Sequence, residues 1–104
     1  LLMAAEALNR GGIDEGRARL YLNEVRLRAN LSEISSSGTA LTNDIYKERR
    51  LELVGEGHRF FDLVRTNTAS ENIEGFVSGK HEVFPIPSIE IDLTGNRWSQ
   101  NPGY

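Results

Sequence analysis

The densest group of residues able to do chemistry lies between positions 48 and 62: Glu48, Arg49, Arg50, Glu52, Glu56, His58, Arg59 and Asp62. Glu48, Glu52 and Glu56 recur every four residues, and His58 and Asp62 are a second such pair, so a helical backbone stacks each set on one face. Carboxylates and an imidazole gathered on a face can ligate a divalent metal. They can also work as acid and base if their surroundings separate their pKa values. The metal reading lacks the HExxH or ExxH spacing of helical metal sites, and the interleaved arginines compete for the same carboxylates. A network of ion pairs accounts for these residues more simply. Its members in this reading are Arg49, Glu52, Glu56, His58, Arg59, Asp62 and Arg65, with Arg49 reaching Glu52 and Arg59 or Arg65 reaching Asp62. Arginine suits partly buried pairs because its planar fork meets a carboxylate through two parallel hydrogen bonds. His58, at the border of apolar and polar positions, reads as a hydrogen-bonded structural histidine.

Elsewhere the chemical signal is thin. His81, between Lys80 and Glu82, reads as solvated surface. No Gly-x-Ser-x-Gly elbow, phosphate loop or dinucleotide fingerprint occurs, so no catalytic residue and no cofactor is expected. The sequence holds no cysteine, which removes disulfides, thiolate metal sites and a cysteine nucleophile. Trp98 is the only tryptophan and the single ligand-binding candidate, since sugars stack their apolar faces on exposed rings; an anchoring plug in the tail is the simpler reading. Phe60 and Phe61 read as core at helical spacing.

The elements that must hold these residues are helices. Leu1, Ala4, Ala5 and Leu8 mark one face of a first helix, which Gly11-Gly12 should close. Asp14 or Glu15 should start a second helix with the stripe Ala18, Tyr21, Leu22, Val25 and Ala29, leaving Arg17, Glu24 and Arg28 outward. The pair forms a tetratricopeptide-like helical hairpin. Ser32 to Gly38 has loop composition. A long third helix is expected from Thr42, Asn43 or Asp44 through IYKERRLELV, with a possible extension to Arg65 along Leu51, Val54, His58, Phe61 and Arg65. Gly55 and Gly57 would then mark a kink or a close approach to the hairpin. Residues 66–80 read as a surface loop, and 81–84 as a short extended piece ended by Pro85-Ile86-Pro87. After one turn through IEID, an irregular C-terminal tail should wrap over the helices, anchored by Trp98 and Tyr104. The fold class is therefore mainly α.

Twelve Lys and Arg against 15 Asp and Glu, a formal net charge of −3 over 104 residues, argues against a nucleic-acid binder that works by displacing counterions. No apolar run approaches the ~18 residues of a membrane span. The opening LLMAAEALNR reads as mid-helix without a cap and has no signal-peptide pattern, which predicts a piece of a longer protein.

Four blocks in order resemble the C-terminal region of the SusD/RagB family of outer-membrane nutrient-binding lipoproteins. They are NEVRLRA at Asn23–Ala29, ERRLELVGEGHRFFDLVR at Glu48–Arg65, PIPSIEID at Pro85–Asp92 and the closing QNPGY at Gln100–Tyr104. One departure is Thr66-Asn67, where many members carry Trp-Gly. The resemblance implies a fragment of a SusD-like α/α superhelix, residues 1–104 being a C-terminal RagB/SusD-type domain. It also implies non-enzymatic oligosaccharide binding at the bacterial cell surface and delivery of nutrient to a TonB-dependent SusC-type transporter. Membrane contact would be only through a lipid anchor outside this chain. Sugar contacts in the family come largely from loops upstream of these blocks, so the implied role of this piece is scaffold. From the residues alone, the competing reading is a soluble helical protein-interaction module of tetratricopeptide-like type.

Overall fold

A computed structural model of the chain describes residues 1–95 and 97–104. Two compact units divide it, residues 1–58 and 59–104. The first unit contains α1 (Leu2–Arg10), α2 (Glu15–Arg28) and α3 (Gly38–Glu52). Asp14 caps α2 by accepting the Arg17 N–H at 2.9 Å, satisfying one of the donors a helix start leaves open. The core combines Leu2 and Ala5 of α1, Ala18, Leu22 and Val25 of α2, and Leu41 and Ile45 of α3. Leu22, Leu41 and Ile45 are fully buried, each worth roughly 1.5–3 kcal/mol of transfer free energy. Ala5 and Ala18 are also fully buried, and their small side chains let α1 and α2 approach closely. Leu2, not Leu1 or Ala4, takes the inward position at the start of α1.

Both α1 and α2 end in one hydrogen-bond pattern. After α1, the Gly12 N–H reaches Asn9 (3.1 Å) and the Ile13 N–H reaches Leu8 (3.0 Å). After α2, Asn30 donates to Leu27 (3.0 Å) and Leu31 to Arg26 (2.9 Å). This double bond requires a left-handed residue just past the helix, supplied by Gly12 at φ 63° and Asn30 at φ 58°. Asparagine tolerates that region better than other side chains.

The third helix differs from expectation at both ends. It begins at Gly38, before the Thr42–Asp44 caps, because Asn9 of α1 donates to the Gly38 carbonyl (3.1 Å) and to Thr42 Oγ1 (2.7 Å), pinning the first turn. At 15 residues it is the longest described helix, yet it stops at Glu52 and does not extend to Arg65. Gly55 and Gly57 lie at φ 82° and 77°, and a Cβ at either would meet nothing within 4 Å. They turn the chain rather than admit a close neighbour. The anticipated apolar face is consequently not built: Leu51, Val54 and Phe61 are exposed. The buried face of α3 runs Leu41, Ile45, Glu48, Arg49 and ends on charges.

The second unit contains α4 (Arg59–Arg65), α5 (Ala69–Asn72) and α6 (Ser88–Leu93). Its α4 closes with the same motif, Thr68 donating to Leu63 (2.9 Å) and Asn67 to Val64 (3.1 Å), with Asn67 at φ 57°. The expected loop 66–80 thus contains the short helix α5, which packs on α4; Leu63 of α4 and Ala69 of α5 are the buried apolar residues of this unit. Phe60 is half-buried, with its ring centroid 6.4 Å from that of Phe76; Phe61 is not core, being 68% exposed. His81 is not free surface either. Its Nδ1 accepts the Val77 N–H at 3.0 Å, and its ring meets the edge of Phe76 at 5.8 Å. Among the described residues there is no strand, and no helix is long and apolar enough to cross a membrane.

Candidate functional site

The polar residues of the first unit are organised by one stripe of α2. Glu15, Arg19, Asn23 and Arg26 recur every three or four residues, so they share a side of the helix. Opposite them runs the extended segment 32–38. Glu15 accepts the Gly38 N–H (2.7 Å), Arg19 donates to the Ser36 carbonyl (2.8 Å) and Arg26 to the Ser32 carbonyl (2.8 Å). Asn23 makes two bonds to one residue, accepting the Ile34 N–H at 2.8 Å and donating to its carbonyl at 3.0 Å. The contacts fall on residues 32, 34, 36 and 38 because the repeats match: four helical residues rise about 6 Å and two extended residues about 6.6 Å. The helix stripe satisfies an extended backbone as a neighbouring strand would. Sequence reasoning missed this stripe; its signal was polar residues at helical spacing facing a serine-rich loop.

Two members of the α2 surface continue into α3. Arg26 Nη1 pairs with Glu48 at 2.8 Å, and the Arg26 and Glu48 side chains retain 17% and 4% of their exposure. Arg28 pairs with Glu52. The partner of Glu52 is therefore a guanidinium of α2, where the spacing had suggested Arg49 from its own helix. Arg49 is itself buried. Burying such charges is tolerable only when they are paired, since an ion left alone in a protein interior is heavily penalised.

The remaining expected network members divide between the two units, Glu56 and His58 in the first and Arg59, Asp62 and Arg65 in the second. Arg65 pairs with Asp62 at 2.7 Å within α4, as the spacing suggested, whereas Arg59 donates to Asn72 Oδ1 at 3.2 Å. Glu56 and His58 are exposed in the turn after α3. His58 precedes α4, so it and Asp62 do not share a helix. His58 instead lies at the rim of a cleft of about 320 Å³ in the first unit, walled by Leu2, Val25 and Leu53 and edged by Arg28 and Glu52. Among the described residues, no three His, Cys, Asp or Glu side chains gather closely enough to hold a metal ion.

In the second unit the tail closes on itself through another amide. Gln100 Oε1 accepts the Ile86 N–H (2.7 Å) and the Asn101 N–H (2.9 Å), while its Nε2 donates to the Ile86 carbonyl (2.8 Å). Proline on either side of Ile86 fixes extended backbone and offers no competing donor. Asn101 donates to the Phe84 carbonyl (2.6 Å) and the Tyr104 hydroxyl to that of Val83 (3.1 Å). Asn101-Pro102-Gly103-Tyr104 is a turn closed by the Tyr104 N–H on Asn101 (3.3 Å), with Gly103 at φ 85°. That is the conformation for which a type II turn selects Pro then Gly. The Lys80 ammonium lies 4.8 Å from the Tyr104 ring centroid, and a Cβ on Gly103 would come within 2.9 Å of Lys80 Cγ. Tyr104 is thus an anchor. Trp98 is not, remaining 55% exposed.

Within the first unit NEVRLRA is bonded to the ERRLE start of the second block, and within the second unit PIP is bonded to QNPGY. Their carboxylates and amides are engaged by guanidiniums and backbone groups, an arrangement that holds segments in place.

The sequence model of the SusD family matches residues 1–83. SusD-like protein P2 of Formosa agariphila is 33% identical, the match covering 100% of this chain and 24% of that protein. Among solved structures, a SusD homolog from Bacteroides thetaiotaomicron VPI-5482 is similar with a TM-score of 0.84 and 33% identity, over 97% of this chain and 23% of that one. Surface glycan-binding protein A from Bacteroides thetaiotaomicron is similar with a TM-score of 0.80 and 38% identity, over 97% of this chain and 22% of that one. The chain thus spans about a quarter of the length of these relatives.

Proposed function

The chain belongs to the SusD family, and from that premise we propose that it serves non-enzymatic glycan binding at a bacterial cell surface, as part of a longer lipoprotein. In this reading residues 1–104 form the C-terminal RagB/SusD-type domain. The whole protein is anchored to the outer membrane by lipid and delivers oligosaccharide to a TonB-dependent SusC-type transporter. The observation that carries the reading is the 38% identity to a surface glycan-binding protein over nearly the whole chain.

Within that protein the present residues act as scaffold. Support comes from the two bonded pairs of blocks, whose polar groups hold backbone and partner helices. The role of Arg49, Glu52, Glu56, His58, Arg59, Asp62 and Arg65 is then positional, through helix ends and turns. Trp98 has the exposure a sugar platform needs, but its neighbours Gln100 and Asn101 already bond Ile86 and Phe84. Trp98 is also an internal reporter, being the only tryptophan. Its fluorescence should be unchanged when a panel of plant and host oligosaccharides is titrated into this chain. A saturable shift with any of them would move the site into the tail.

The decisive test is genomic and phenotypic. The reading frame should encode a signal peptide ending in a lipidated cysteine, beside a gene for a TonB-dependent transporter. Deleting it should abolish growth on one polymeric glycan while leaving growth on its monosaccharide intact. A frame with neither feature, or a deletion without a glycan phenotype, overturns the proposal.

A further inference from the structure

Residues 77–81 of the second unit form a turn that a histidine closes on itself. The Lys80 and His81 N–H groups both donate to the Val77 carbonyl, at 3.2 and 3.0 Å. The His81 side chain then returns to the same residue, its Nδ1 accepting the Val77 N–H at 3.0 Å. Val77 is thus held by both of its backbone groups. An amide N–H can only donate, so Nδ1 must present a lone pair, and the proton of the neutral ring sits on Nε2. The ring also stands edge-on to Phe76, with centroids 5.8 Å apart.

The same turn seats the C-terminal tail. Lys80 lies against Gly103, and its ammonium sits 4.8 Å from the Tyr104 ring centroid. Two residues past His81, the Val83 carbonyl accepts the Tyr104 hydroxyl at 3.1 Å. Residues on both sides of His81 therefore grip the tail, and their placement depends on the turn keeping its shape. The charged neighbours of the ring are Lys80 and Glu82 along the chain. Beyond Phe76 lies Phe60 of α4, whose neighbour Arg59 donates to Asn72. Glu82 accepts the Gly79 N–H at 2.9 Å, which holds its carboxyl below the usual range and keeps it ionised wherever a histidine titrates. Its other oxygen, Oε2, is buried and accepts no hydrogen bond among the described residues.

We propose that His81 is a proton-operated latch for the C-terminal tail: neutral, it closes the turn on the Val77 N–H; protonated, it releases the turn and loosens the grip of Lys80 and Val83 on Tyr104. Protonation converts Nδ1 from acceptor to donor and sets two N–H groups against each other across 3.0 Å. Lys80 and Glu82 flank the ring in the closed and the open turn alike, so the Val77 bond is what makes the two states differ in proton affinity. That bond belongs to the neutral ring. The closed turn therefore binds the proton less well than the open one, and its population falls as pH falls. The freed imidazolium has the ionised Glu82 beside it, with one carboxylate oxygen still without a donor.

The test follows the whole 104-residue chain by NMR, at about pH 8 and about pH 5, on either side of the ~6.5 of a free histidine. On acidification the Val77 amide should lose about fivefold of its protection from hydrogen exchange, the worth of one net hydrogen bond. Its resonance should move with the same midpoint as the His81 ring resonances. The nuclear Overhauser contact between the Tyr104 ring and the Lys80 side chain should weaken over the same range. His81→Asn puts an amide oxygen where Nδ1 stood and takes up no proton there, so it should keep the Val77 protection and the Tyr104 contact at both pH values. His81→Phe keeps a ring against Phe76 but accepts no bond, and should show the reduced Val77 protection at both. A Val77 resonance that does not follow the ring, a pH response that persists in His81→Asn, or full protection in His81→Phe overturns the proposal. So does a Tyr104–Lys80 contact that stays intact as His81 protonates, which would confine the change to the turn.

Discussion

Replacing Glu48 by Gln tests how the first unit is held together. The change keeps the side chain's volume and leaves an amide oxygen facing Arg26, but it removes the negative charge. The Arg26–Glu48 contact is 2.8 Å long, with the acid side chain 4% and the base 17% exposed. A solvated surface pair of this kind contributes about 0–1 kcal/mol, whereas breaking a buried one costs about 3–5 kcal/mol because a shielded charge loses its counter-ion. The residual exposure of Arg26 places the expected loss at the low end, about 3 kcal/mol. That corresponds to a melting temperature lower by on the order of 10 °C or more for a domain of this size. Glu24→Gln, at an exposed position on α2, is the control and should change stability by less than about 0.5 kcal/mol. A third variant joins Arg26→Met to Glu48→Met, putting apolar side chains at both positions. It should recover most of the loss, short of about 1 kcal/mol for the Arg26 hydrogen bond to Ser32 that also disappears. Urea unfolding followed by helical circular dichroism reads all three. If Glu48→Gln costs no more than Glu24→Gln, the pair is effectively solvated and the argument that α2 and α3 are joined by a buried charge fails.

Three further outcomes follow from the same geometry. Asn23→Ala removes both bonds to Ile34 and should cost about 2 kcal/mol, at roughly 1 kcal/mol per bond; hydrogen exchange at the Ile34 amide should accelerate, and an unchanged rate would show that α2 does not hold the segment. Asn67→Gly should be neutral or slightly stabilising because position 67 is left-handed at φ 57°, whereas Asn67→Val should cost on the order of 1–2 kcal/mol; equal stability of the two in urea would contradict the cap. Glu82 accepts the Gly79 N–H at 2.9 Å, and that bond holds its carboxyl below the usual carboxylate range. A lowered folded-state pKa means the contact is fully formed above the ordinary range and is lost as pH falls through the lowered value. The Gly79 amide resonance should therefore titrate with a midpoint below the ~4.3 of a free glutamate, and a midpoint at or above it would remove the bond.

Much of the architecture was legible because it depends on neighbours along the chain. Helix starts depend on side chains within a few residues, so the sequence narrowed the start of α2 to Asp14 or Glu15, and the structure makes Asp14 the cap. Gly11-Gly12 announced the end of α1 in the same way. Asn30 and Asn67 do the same work but are common residues in many settings, and they passed unnoticed. The departure at Thr66-Asn67 from the Trp-Gly of related sequences has a physical resolution: Asn67 occupies the left-handed position a glycine would favour. Helix continuity past Glu52 was misread because the apolar spacing through Phe61 persists numerically, while the positive φ of Gly55 and Gly57 turns the chain before Leu51 and Phe61 can share a face.

Taken by itself, the sequence determined a mainly helical chain, a hairpin with small residues at its contact, an ionic α3 and a family resemblance carried by four blocks. These follow from local hydrogen bonding, helical periodicity and motif order. Only the tertiary structure decided which block answers which. Glu52 meets Arg28 rather than Arg49, because the charge from α2 crosses to α3 while residues of one helix stay on their own cylinder. Asn23 and Gln100 each hold a residue 11 or 14 positions away. A side-chain amide carries a donor and an acceptor side by side, as an extended residue does, but nothing in its immediate sequence says which distant backbone it will meet.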